Sequence, residues 1–283
     1  VTELDASIKS NAKTYREYID SIAGKTLRKM FFEKYPEKLW GIPVAEMAAD
    51  WAPKRVNIYK KKTPFFNKQW TAVGKNGAGA LYERIADEIK SLGGSINLNS
   101  RISNIEVSGS QIRSITSNEK IIKVEKNDIV ISTIPVTSLL KMIGHTSSLK
   151  FRGVIIFYLD CFKKQVLPDG VSWQYFDSKE VNFTRITEPK KMGINKSSKD
   201  KSLITVEVPY SAGDSLDQKG KEILCQEIIS QVIITGLLKN KDINDITMVK
   251  EAFVYPVQYS GYQQELAKIE SIIGNYEQLY SIG

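Results

Sequence analysis

The stretch from Gly74 to Pro135 constrains the fold most, because it reads as a helix, a hairpin and a further strand in unbroken succession. After GKNGAG, the segment ALYERIADEIKSLGG places Leu81, Ile85, Ile89 and Leu92 at spacings of four, four and three, an apolar stripe along one side of a helix. Gly93 and Gly94 supply the left-handed backbone that favours a helix C-terminus. Strand patterning follows in SINLNSRISNIEVSG, then a polar hairpin around Ser108 to Ser110, a second strand in QIRSITS, and a charged turn in NEKIIKVEKND. DIVISTIP is a continuous apolar run of the kind found in central strands buried on both faces of a parallel sheet. Such a strand needs cover on both sides, so the segment belongs to a layered α/β domain whose other layers come from elsewhere.

The flanking sequence is of a different kind. Thr2 to Ala23 carries Leu4, Ile8, Tyr15, Tyr18, Ile19 and Ile22 among charges, a helical surface pattern that Gly24 ends. KTLRKMFFEKY predicts a second helix, closed by Pro36. In PEKLWGIPVAEMAADWAPKRV, Trp40 and Trp51 read either as core anchors or as walls of an aromatic-lined pocket for a planar or sugar ligand. Lys60 to Trp70 reads as an exposed loop. From Leu149 onward, KFRGVIIFYLDC, VSWQYFD, VNFTRITEP and KSLITVEVPY predict a mostly antiparallel sheet. A helix from about Gln218 to Leu238 interrupts it, DITMVKEAFVYPVQY returns as a strand, and ELAKIESIIGNYEQLYSIG gives a helix and the start of a strand. Two interleaved domains fit this order better than two consecutive ones.

Charge and composition narrow the function. The net charge of +8 is spread over short lysine runs such as Lys60 to Lys62, and no zinc-finger, helix-turn-helix or RNP-like signature accompanies it. A solvated basic surface is favoured over a nucleic-acid site, and an anionic small substrate suits the charge equally well. Cys161 and Cys225 stand without CxxC spacing, which points to two reduced, buried thiols and a cytoplasmic setting. The longest apolar stretch, ILCQEIISQVIITGLL, is broken by Gln226, Glu227, Ser230 and Gln231 and is no membrane span.

No side chain announces itself as catalytic. His145 is the sole histidine and has no nucleophile or carboxylate motif beside it, so neither a triad nor a histidine metal site is supported. GKNGAG lacks the GxxxxGK[ST] spacing and a preceding apolar strand, which excludes a phosphate loop. A binding protein remains, or an enzyme whose reactive atoms belong to a cofactor. Polar groups gather amid aromatics at Phe31 to Trp40, Val181 to Lys190 and Val254 to Tyr259. Arg185, between Thr184 and Ile186, either points inward to a carboxylate or phosphate or lies on the solvent face or beside Glu188.

These residues carry a resemblance. FFEKYPEKLWGIP, ADWAPKR, GALYERIADEIKSLGGSINLNSRISNI, DIVISTIP, FTRITEPK and YPVQYSGY together resemble the middle part of flavoproteins of the amine oxidase and protoporphyrinogen oxidase class. The similarity extends to oxidoreductases of polysaccharide synthesis and to their relative UDP-galactopyranose mutase. It implies an α/β fold: a partial FAD/NAD(P)-binding Rossmann-like domain interleaved with an α+β substrate domain containing a mostly antiparallel sheet. Residues 1–70 are expected to form the helical part of the substrate domain, 71–147 part of the FAD-binding domain, 148–262 the antiparallel sheet and helix, and 263–283 a return into the FAD-binding domain. In such proteins a GxGxxG segment precedes the part resembled and a Gly-Arg segment follows it, so an internal fragment that retains FAD poorly is expected.

Carried over by position, the resemblance implies that Ile102 is the strand residue whose backbone faces the adenine of FAD and that Thr133 to Pro135 form the strand end near the dinucleotide. Phe31, Tyr35 and Trp40 match an aromatic motif for a nucleotide-sugar, with Pro36 where that motif has threonine. Arg185 resembles a diphosphate-contacting arginine, Tyr255 a tyrosine before a Tyr-Pro pair, and Arg55 sits near a further active-site arginine with altered proline spacing. The activity implied is hydride transfer from a small, anionic or sugar-linked substrate to the flavin. The rivals are a flavin-dependent nucleotide-sugar mutase and a ligand-binding protein that keeps the fold without turnover.

Overall fold

In the computed structural model, which describes residues 11–56, 77–193 and 199–283, Thr14 starts the first helix. Its hydroxyl accepts the Glu17 N–H while the Glu17 carboxylate accepts the Thr14 N–H, a reciprocal cap on α1 (Tyr15–Leu27). Gly24, at φ 81° and ψ 164°, kinks α1 instead of ending it. A π-helical turn, Arg28–Phe32, leads to α2 (Lys34–Trp40). Pro36 lies inside α2 and does not close the preceding helix. In a first turn the backbone N–H has no intrahelical acceptor, so a proline there breaks no bond. After α3 (Ala52–Arg55), Tyr15, Tyr18, Ile19, Val44, Met47 and Ala52 share one apolar core.

Helix α4 (Gly79–Ser91) forms where the stripe predicts it, yet none of its residues is buried. Strands β1 (Ile102–Ser108), β2 (Gln111–Ser117) and β3 (Lys120–Lys123) make an antiparallel sheet in that order. The expected charged turn therefore contains a strand. Asn118 and Glu119 take positive φ values of 45° and 66°, which supplies the tight hairpin turn within two residues. DIVISTIP gives only the short β4 (Val130–Ser132), followed by α5 (Val136–Met142).

The larger sheet starts with β5 (Phe151–Cys161), β6 (Trp173–Tyr175), β7 (Arg185–Thr187) and β8 (Ser202–Tyr210). Helices α6 (Ser215–Gln218) and α7 (Lys221–Ile234) follow, then β9 (Ile243–Pro256). The five strands are antiparallel in the order β6-β7-β8-β5-β9. Alternation assigns the faces. Ile155, Phe157, Leu159, Ile186, Ile204 and Val206 form one core with Leu224, Ile228 and Val232 of α7. Arg185, Glu207, Ile156 and Tyr158 alternate with these residues, lie on the other face, and are only partly buried.

Helix α8 (Tyr262–Gly274) and β10 (Leu279–Ser281) complete the chain. β10 runs parallel to β4, with Leu279 opposite Val130. Ile105, Ile112, Leu139, Leu140, Ile269, Ile273 and Leu279 make the core here. β4 is parallel, as its sequence suggests, but it is not buried on both faces: Ile129 is 68% and Ile131 62% exposed. Among the described residues β4 pairs with β10 alone, and while Val130 packs on the core, the face carrying Ile129 and Ile131 lacks cover.

The chain divides into two compact units, Val1–Ala80 with Phe151–Ser260, and Leu81–Lys150 with Gly261–Gly283. The cysteines are free and buried, and burial pushes the Cys161 thiol up to about 12. Among the described residues no helix is long and apolar enough to cross a membrane. The expected loop at Lys60 to Trp70 lies outside the described residues.

Candidate functional site

Strand register assembles a row of functional groups on the open face of the five-stranded sheet. Tyr175 of β6 lies opposite Arg185 of β7, and Arg185 lies opposite Glu207 of β8. Arg185 donates from Nε and Nη2 to a single oxygen, Glu207 Oε1, at 2.8 and 2.6 Å. Burial works against the Arg185 charge, but the hydrogen bond and charge of Glu207, aided by Tyr175, outweigh it and raise the guanidinium pKa. Of the alternatives the sequence leaves open, pairing with Glu188, two residues past the strand's centre, is not the one found. That side chain points the other way along the pleat and is fully buried, accepting from the N–H groups of Val166 and Leu167 and from the Ser202 hydroxyl.

Helix α2 and the end of β9 add aromatic groups. Tyr35 meets Tyr175 edge to face, with ring centroids 5.2 Å apart. Trp40 meets Tyr255 at 5.8 Å and Trp51 at 5.6 Å, and Trp51 stacks on Tyr15 at 5.1 Å. Burial raises the phenol of Tyr35, with Tyr175 adding to the rise and Arg185 opposing it. Tyr255 is raised by burial first and then by the Glu207 charge. The two phenols are therefore neutral donors and acceptors near neutral pH.

A lysine ties the helix to the strands. Lys38 Nζ donates to the carbonyls of Phe176, Ser178, Val181 and Phe183 at 3.2, 2.7, 2.8 and 3.0 Å. It thereby holds the loop that joins Tyr175 to Arg185. Burial lowers its pKa to about 8, with Asp177 pulling the other way. Arg152, opposite Tyr255 on β5, donates to the carbonyls of Leu39 and Lys38 and to the Ser211 hydroxyl, fixing the C-terminal turn of α2. Gly41 accommodates this, since a Cβ there would lie 2.8 Å from the Arg152 guanidinium.

The structure thus brings Tyr35, Trp40, Arg185 and Tyr255 together and adds Tyr175 and Glu207, which sequence reasoning missed. Their signal was a polar side chain inside an apolar alternation: Glu207 between Val206 and Val208, Tyr175 at the end of VSWQY. Phe31 lies apart in the π-helical turn, 63% exposed. Arg55 is exposed at the end of α3. Trp40 and Trp51 pack partly buried against the helical core, as the core-anchor alternative has it.

In the other unit, Ile102 opens β1, half-buried against the core. Thr133 is exposed and Pro135 half-buried where β4 passes into α5. Beside them the Ser132 hydroxyl is buried without a hydrogen-bond partner among the described residues. Gly283 packs closely here, because a Cβ would come within 2.4 Å of the Thr133 and Ile134 carbonyl oxygens. An unsatisfied hydroxyl at a strand end, next to an exposed threonine, suits a polar ligand such as a dinucleotide. His145 Nε2 lies 3.3 Å from the Tyr276 hydroxyl, and no metal-binding cluster occurs among the described residues.

A family model described as UDP-galactopyranose mutase matches residues 30–222. No curated protein sequence matches the chain. Among solved structures, a reduced UDP-galactopyranose mutase superposes with a TM-score of 0.74 at 17% identity, covering 95% of this chain and 60% of its own. A putative protoporphyrinogen oxidase from Exiguobacterium sp. 255-15 gives 0.69 at 14% identity, covering 95% and 61%. An oxidoreductase from Methanosarcina mazei gives 0.60 at 12% identity, covering 98% and 65%. The chain therefore shares the fold of these structures, and it spans about three fifths of the length of the first two.

Proposed function

Because the chain belongs to the UDP-galactopyranose mutase family, we propose that it is part of a flavin-dependent enzyme acting on a sugar-linked substrate, with oxidoreduction as its chemistry. The observation that supports this most is the open-face cluster, in which Tyr35, Tyr175 and Tyr255 adjoin the Arg185–Glu207 pair and Trp40 meets Tyr255. Aromatic faces and hydroxyls beside a charged pair suit a hydroxylated ring. None of these side chains is an obvious nucleophile, and the roles open to them are to bind, orient and exclude water. FAD, held by Ile102, Thr133 and Pro135 with the Ser132 hydroxyl nearby, would supply the electron-accepting chemistry that no protein side chain can.

The family match favours a second reading, a nucleotide-sugar mutase that uses reduced flavin without net oxidation. The two differ in one experiment on the full-length protein. An oxidoreductase bleaches its oxidised flavin when substrate is added without oxygen. A mutase converts UDP-galactopyranose only after its flavin has been reduced and leaves the redox state unchanged. Failure of the full-length protein to bind flavin contradicts both readings. Two buried, unpaired thiols fit a reducing compartment, and we place the enzyme in the cytoplasm.

A further inference from the structure

The Lys38 ammonium sits in a shell of backbone oxygens. Its Nζ lies 2.7 to 3.2 Å from four carbonyls, those of Phe176, Ser178, Val181 and Phe183. An ammonium has three N–H donors, so four acceptors exceed what directed hydrogen bonds alone can use. All four oxygens are neutral and come from one loop, and rings of backbone carbonyls are what replaces the hydration shell of a monovalent cation in selective ion sites. Carbonyl dipoles aimed at one place repel each other when nothing positive stands there. Val181 and Phe183 are buried, which leaves their carbonyls dependent on the charge they share.

A cavity of about 370 Å³ adjoins the shell, and Lys38 and Val181 are on its wall. The same wall carries acidic Glu37 and Asp214 and basic Lys34, Arg152 and Lys179, so a small cation can enter once salt screens the basic groups. We propose that the loop from Phe176 to Phe183 is a monovalent-cation site whose cation is the Lys38 ammonium: the closed loop requires a positive centre in the shell, and Lys38 supplies it on a tether. A tethered charge acts at high effective concentration and frees the loop from dependence on dissolved potassium. Lys38 is thus a positioning residue, which through this loop fixes α2 against the β6–β7 hairpin.

Lys38→Ala in the full-length protein separates a cation site from an ordinary lysine contact. In tetramethylammonium chloride, whose cation is too large for the shell, amide exchange in residues 176–183 should rise about tenfold or more over the wild type. Potassium or ammonium chloride at the same ionic strength should restore most of the protection. Lys38→Met puts a neutral side chain in the shell, so its exchange should rise as much and stay indifferent to the salt. Equal exchange of Lys38→Ala in potassium and tetramethylammonium chloride overturns the inference. The wild type gives a readout that no substitution disturbs. Well below its pKa of about 8, the Lys38 ammonium should show a slowly exchanging Nζ signal in nitrogen NMR, coupled through hydrogen bonds to the loop carbonyls. An ammonium that exchanges as fast as those of exposed lysines contradicts the site. None of these readouts involves flavin or sugar, so they stand apart from the proposed activity.

Discussion

Tyr35 and Tyr175 meet edge to face at 76°, one carried by α2 and the other by the edge strand of the sheet. The contact docks the helix on the face where Arg185 and Glu207 lie. Edge-to-face ring pairs contribute about 0.5–1.5 kcal/mol beyond the area they bury. Tyr35→Ala should therefore cost about 1–3 kcal/mol in urea unfolding, adding partial loss of burial to loss of the pair. Tyr35→Phe keeps the ring and should stay within about 1 kcal/mol of the wild type.

Lys38→Met should loosen the loop between Tyr175 and Arg185, because four carbonyls lose one shared ammonium donor. Hydrogen bonds to charged groups contribute about 1.5–3 kcal/mol, so a loss of about 2–3 kcal/mol is expected in chemical denaturation. Amide exchange in residues 176–183 should rise in the same variant.

Two carboxylates near Arg185 should separate stability from binding. Glu188→Ala strands the N–H groups of Val166 and Leu167 and the Ser202 hydroxyl in a buried place, and should cost about 3 kcal/mol or more. Glu207→Ala sits on the open face and should cost less in thermal unfolding while changing ligand affinity.

Asp217 gives the pH dependence a direction. The Gly213 N–H and then Lys250 hold its carboxyl below the usual 3.8. A depressed folded value contributes stability that is complete above 3.8 and is lost as pH falls below it toward the folded value. Asp217→Asn should lie below the wild type at neutral pH, and the gap should close in acid titrations followed by circular dichroism.

Gly153 lies in β5 at a register shift against β9, where a Cβ would lie 2.3 Å from the Tyr210 ring and 2.6 Å from the Glu251 carbonyl oxygen. Gly153→Ala should destabilise by about 1–3 kcal/mol, read from the urea midpoint, since neither neighbour is a free chain end.

The antiparallel sheet was legible from sequence because its strands alternate strongly and are bounded by turn residues. β3 was not, because its lysines read as a turn, and only the positive φ of Asn118 and Glu119 makes room for a strand. An apolar run reports a capacity for burial and says nothing of what supplies it. Hence Leu81 and Leu92 of the helical stripe and Ile131 of β4 remain exposed. Tyr35, Trp40, Arg185 and Tyr255 stood out by aromatic density and by a cation in a strand. Glu207 did not, because its importance lies in the residue across the ladder, and register pairs distant positions that no local pattern links.

The most direct measurement is an anaerobic titration of the flavin-loaded full-length protein with UDP-galactose, following flavin absorption in the wild type, Tyr35→Ala and Tyr255→Ala. The expected result is a saturable spectral change in the wild type, with affinity about tenfold weaker in each variant. A wild type that carries no flavin, or variants that bind as tightly as the wild type, would contradict the assignment of the open face as the substrate site.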